Sequence, residues 1–81
     1  MEKRIGTVII QTNSPKEVAH LNDILSLHAG IILGRQGLPR SNGKNLISLI
    51  LEGSTDQIGA LTGQLGRLDG IQVKSVLLKN S

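Results

Sequence analysis

NLISLILEGSTDQIGALTGQLGRLDGIQVKSVLL, residues 45–78, is the stretch whose reading decides the fold. Residues 45–52 form a short run rich in leucine and isoleucine, which reads as a strand. Gly53, Ser54, Thr55 and Asp56 then break the run. Ser54 is followed three residues later by Gln57, the spacing of a capping box, in which two side chains satisfy backbone N–H groups at the start of a helix. Ile58, Leu61, Leu65 and Leu68 recur at helical spacing and make one apolar stripe. Asp69 and Gly70 turn the chain, and residues 71–78 read as a second strand.

The preceding residues repeat this strand–helix–strand unit. Residues 4–11, rich in isoleucine and valine, form a strand. Ser14 is a suitable N-cap, Pro15 suits the first helical position, and Glu17 completes a second capping box. Val18, Leu21, Leu25 and His28 form the helical stripe, and Gly30 is expected to end the helix. Residues 31–37 form another strand, and 38–44, holding Pro, Ser, Asn and Gly, close a hairpin. The order β-α-β-β-α-β over residues 1–81 predicts a single α+β domain, a ferredoxin-like sandwich. It has a four-stranded antiparallel sheet with both helices on one face, and right-handed crossovers place the first and third strands at its centre.

Two helices cover one face of such a sheet, yet both faces are substantially apolar. Ile5, Thr7 and Ile9 alternate with Gly6, Val8 and Ile10 in the first strand; Ile47, Leu49 and Leu51 alternate with Leu46, Ser48 and Ile50 in the third. Leaving several such side chains wet forfeits several kcal/mol at about 25 cal/mol per Å², comparable with the stability of a whole domain. Self-association is therefore expected, as a dimer or tetramer. Gly59, Gly63 and Gly66 sit inside the second helix, where each costs roughly 1 kcal/mol relative to alanine. They fall within about 60° of one another beside the leucine stripe. They are read as close packing, against the first helix or against another subunit, or as room for a ligand lying along the helix.

Composition excludes several chemistries. The 81 residues contain no cysteine, so there is no disulfide, thiolate metal site or thiol catalysis; a reducing cytoplasm fits. They contain no aromatic residue, which removes the base-stacking platform of RNA-binding modules of this topology. No run approaches the roughly 20 apolar residues of a membrane span, and the nine basic residues are scattered, so neither membrane nor direct nucleic-acid binding is expected. The loop after the first strand, residues 11–17, lacks the arginine and glycine cradle of acylphosphatase-type enzymes. His20 and His28 are candidate metal ligands, but eight residues separate them, ~12 Å along a helix, so they could share an ion only across an interface. Otherwise they are ordinary helix residues, and no metal is expected. Arg35, between Gly34 and Gly37, reads either as part of a bulge or as an anion-binding group at the hairpin.

Two motifs carry a resemblance: G-R-Q-G-L-P at 34–39 and G-A-L-T-G-Q-L-G at 59–66. Through them, and over nearly its whole length, the chain resembles a family of small proteins assigned as regulators of the iron-only hydrogenase system. These look like ACT-type domains and are similar to the C-terminal domain of the nickel-responsive regulator. The resemblance implies an oligomeric regulatory or ligand-sensing module. It also implies an effector site at the turn after the first strand, here Thr12, Asn13 and Ser14. The first strand begins by residue 4, with no DNA-binding segment before it, and the third strand has no histidine or cysteine of a nickel site. Regulation is thus expected to run through a protein partner or small effector, without catalysis. No cofactor is specified. The competing reading is a metal-binding or hydrogenase-assembly protein whose site forms between subunits from His20, His28 or Arg35.

Overall fold

Alternation along the two central strands sets the layers. The computed structural model describes residues 2–13 and 15–79. Its strands are β1 (Arg4–Thr12), β2 (Ile32–Leu38), β3 (Asn45–Gly53) and β4 (Ile71–Leu77); its helices are α1 (Val18–Leu27) and α2 (Thr55–Gly66). The strands pair antiparallel in the order β2-β3-β1-β4, so β1 and β3 are central, as the crossover rule requires. Val8 lies opposite Leu49 and Ile10 opposite Ile47, which puts the inward residues of both strands on one face. Leu21 and Leu25 of α1 and Ile58, Leu61 and Leu65 of α2 all pack into that same buried cluster. The two helices therefore share one side of the sheet. Across the other side Ile5, Ile9, Ile50, Val76 and Leu78 are 41–63% exposed.

The second capping box forms as the spacing predicts. Ser54 N donates to Gln57 Oε1 at 2.9 Å, and Gln57 N donates to Ser54 Oγ at 3.1 Å. The first half differs at both ends of its helix. Pro15–Glu17 takes a tighter 3-10 turn, so α1 starts at Val18 with Glu17 at its N-cap and no side-chain cap bond. Ser14 lies outside the described residues. The helix also stops before Gly30. His28 N reaches Leu25 O, and a second 3-10 turn (Ala29–Ile31) carries Ile31 down into the core. Burial of one isoleucine thus overrides the glycine as the stop signal. In β2 the register shifts between Ile32 and Gly34, which is the bulge that the glycines around Arg35 suggested.

The glycine reading needs correction. Gly59, Gly63 and Gly66 lie about 130° round the helix from Ile58, Leu61 and Leu65, not beside that stripe. A Cβ built at any of the three meets no atom within 4 Å. They do not pack on α1 within the subunit, so a contact with another subunit or with a ligand is what remains of that expectation. Gly63→Ala is accordingly expected to raise the stability of the isolated fold by about 0.5–1 kcal/mol, read by urea denaturation. The glycines that close packing does require are Gly6 and Gly53. A Cβ at Gly6 would lie 2.5 Å from Leu77 Cδ2 and 3.0 Å from the Val76 carbonyl oxygen; one at Gly53 would lie 2.9 Å from both Ile31 Cγ2 and Gln57 Oε1.

Candidate functional site

Strand β2 extends beyond the cover of the helices. Its residues from Leu33 to Leu38 are all exposed. Arg35 lies opposite Leu49 and Gly37 opposite Ile47, so both belong to the helix-side face of the sheet. With no side chain at Gly37, a hollow of about 240 Å³ opens between β2, the start of α1 and the end of β1. Its lining includes Thr12, Val18, Arg35, Gly37, Pro39 and Ile47. Thr12 is buried as the last residue of β1, in register with Asn45 and Ile71.

Arg35 crosses from the sheet to the helix. Its Nη2 donates to Asn22 Oδ1 at 2.8 Å. The same side chain borders a second hollow of about 250 Å³, lined with Leu25, Ser26, Ala29 and Ile32. The arginine therefore borders both hollows. A guanidinium has five N–H donors in a rigid fork that matches a carboxylate or phosphate, so the bond to Asn22 leaves donors for a ligand. The first hollow combines that cation and the nearly fully buried Thr12 with walls of Val18, Pro39 and Ile47. Apolar walls with few convergent polar groups are the ordinary make-up of a small-molecule site.

Of the four residues read from the sequence as ligand-binding, Thr12 and Arg35 both line this hollow, at its opposite ends, two strands and four residues of register apart. Asn13 does not join them. Its N donates to Gly70 O at 2.8 Å, and its Oδ1 accepts from Gln11 Nε2 at 3.4 Å, which turns it toward β4. Gly37, Pro39 and Val18 were missed. Counting in twos along β2 from Arg35 would have found Gly37 on the arginine's face. The histidines are far from this hollow in role. His20 Nδ1 lies 3.5 Å from Glu17 Oε2, and His28 Nε2 lies 3.0 Å from Gln64 Oε1, bridging α1 and α2. Among the described residues no three His, Asp or Glu gather as a metal group, and no helix is long and apolar enough to cross a membrane.

The model of the TM1266-like family, described as "Iron-only hydrogenase system regulator, putative", matches residues 4–75. The chain belongs to this family. The solved structure of the uncharacterized protein TM1266 from Thermotoga maritima is similar over 96% of this chain and 100% of that one, with 36% identity and a TM-score of 0.91. Both sequence motifs lie within the matched residues. More distant likenesses concern the fold alone. The C-terminal domain of the MgtC protein from Mycobacterium tuberculosis gives a TM-score of 0.72 at 12% identity, covering 91% of this chain and 86% of that one. The apo form of CPII from Thiomonas intermedia K12, a nitrogen regulatory PII-like protein, gives 0.52 at 12% identity, covering 95% and 92%. No curated protein matches the chain.

Proposed function

We propose that this member of the TM1266-like family is a non-catalytic, homo-oligomeric module of the cytoplasm that senses a small carboxylate-bearing effector, such as an amino acid. Through it the module regulates the iron-only hydrogenase system. The observation that carries the ligand reading is the presence of Arg35 on the lining of a largely apolar hollow whose far end is Thr12. A forked cation at the rim orients a carboxylate, and the apolar walls accept the rest of a small molecule. The uncovered apolar sheet face supports assembly, since exposure of that much leucine, isoleucine and valine is costly. With no aromatic residue and a dispersed positive charge, the output runs through the effector and a protein partner, not through nucleic acid.

A thermal-shift screen over amino acids, nucleotides and divalent metals tests this reading. A carboxylate ligand at a hundred times its Kd adds about 2.7 kcal/mol to folding stability, a clear rise in Tm. Arg35→Ala should abolish the rise, and Arg35→Lys should not restore it, because an ammonium lacks the fork. A screen in which no carboxylate raises the melting temperature overturns ligand sensing at this hollow.

A further inference from the structure

The strand register lays out the open face residue by residue. Across β3, β1 and β4 the outward residues form three rows: Ser48, Ile9, Lys74; then Ile50, Thr7, Val76; then Glu52, Ile5, Leu78. Thr7 is the centre of this grid. Four apolar side chains flank it, Ile9 and Ile5 along its own strand and Ile50 and Val76 across the sheet. The Thr7 hydroxyl donates to Leu49 O at 2.9 Å, so the one polar group at the centre already has its partner. The only charges in the grid, Lys74 and Glu52, occupy diagonally opposite corners. Strand spacings of ~4.8 Å and ~3.4 Å per residue separate them by roughly 16 Å, too far to pair within one subunit. Among the described residues neither takes part in an ion pair.

We infer that this face pairs with the same face of a second copy about a two-fold axis passing at Thr7, with Lys74 of each copy meeting Glu52 of the other. The inference rests on the homo-oligomer proposed above and names its surface. An isologous contact must be self-complementary. Rotation about an axis at right angles to the Lys74–Glu52 diagonal exchanges the two charged corners. The same operation lays Ile50 against Ile9 of the second copy and Val76 against its Ile5, apolar on apolar. The strands of the two sheets then cross at about 70°, near the orthogonal class of sheet packing. A hollow of about 270 Å³ beside Lys74, lined with Ile9, Gln11, Leu46 and Gln72, receives the incoming carboxylate. Two sheets ~19 Å wide crossed at about 70° overlap over about 400 Å² per copy, about 800 Å² for the pair, the size of a weak interface. An anionic membrane surface would call for a basic fringe without an acidic corner; balanced opposite corners point to a second copy of the chain.

The test is a charge-swap cycle on the full chain, read by sedimentation equilibrium at low ionic strength. Lys74→Glu and Glu52→Lys each bring like charges together twice per dimer, and each should raise the dimer dissociation constant by about 10-fold or more. The double variant should return it to within about 3-fold of the parent. Lys74→Gln and Glu52→Gln repeat the cycle without repulsion, and non-additive losses carry the same meaning should a swap variant fail to fold. If the parent associates but the double swap is no better than either single, or the singles match the parent, the Lys74–Glu52 axis is wrong while the oligomer stands. A parent that sediments as a monomer removes both.

Discussion

If the open face pairs as proposed, Ile50→Asp is expected to leave the protein a folded monomer. Ile50 lies on the open face of β3, opposite Thr7, and is 44% exposed in the isolated subunit. A carboxylate there stays hydrated when the subunit is alone, but is desolvated without a partner when the face is covered. A two-fold contact contains the substitution twice. The dimer dissociation constant should rise by about 100-fold or more, equivalent to about 2.7 kcal/mol. Sedimentation equilibrium measures the change, and far-UV circular dichroism checks that the sheet survives. An Ile50→Asp protein that associates as tightly as the parent would mean that assembly uses another surface. The glycine-lined side of α2, which nothing covers within the subunit, would then be the next to test.

Leu61→Ala is expected to have the largest effect on folding. Leu61 is 0% exposed, part of the cluster that joins both helices to β1 and β3. Truncating a buried leucine costs the lost transfer energy and leaves a cavity, in total about 2–5 kcal/mol. In a domain of this size about 3 kcal/mol is a large share of the whole and should lower Tm by about 12 °C or more. Leu27→Ala supplies the contrast. Leu27 ends α1 and is 77% exposed, so its truncation should change stability by less than about 0.5 kcal/mol. Both are leucine-to-alanine changes on helices, and only burial distinguishes them. Both must be measured at one protein concentration, because dissociation and unfolding are linked. Equal losses would contradict the assignment of the core.

Features that depend on neighbours close in sequence were legible. The Ser54–Gln57 box, the leucine spacing of α2 and the alternation in β1 and β3 each follow from a few adjacent residues, and they suffice for the β-α-β-β-α-β order. Features that depend on distant residues were not. Gly6 is required by Val76 and Leu77, and Gly53 in part by Ile31; no local pattern reveals either contact. The glycines of α2 misled for the converse reason. A missing Cβ signals close approach only when something is there to approach, and the sequence does not say what covers a helix. At the candidate site, Thr12 and Arg35 stand on strands either side of β3, opposite Asn45 and Leu49, and line the two ends of one hollow. Sequence supplied the two residues, one through the family resemblance and one through the GRQG motif, but only the fold shows that they line one hollow. Asn13, adjacent to Thr12, is lost to the site because its backbone is bound to Gly70.

The Arg35–Asn22 bond fastens an otherwise uncovered edge strand to the first helix. On the proposed ligand reading, an anion in the adjoining hollow would compete for the same guanidinium. Full capture of its fork would free Asn22 Oδ1 and unlatch β2 from α1, whereas an anion held by the remaining donors would leave the latch in place. Which donors a guest recruits would then decide whether the hairpin of β2 and β3 is held or released.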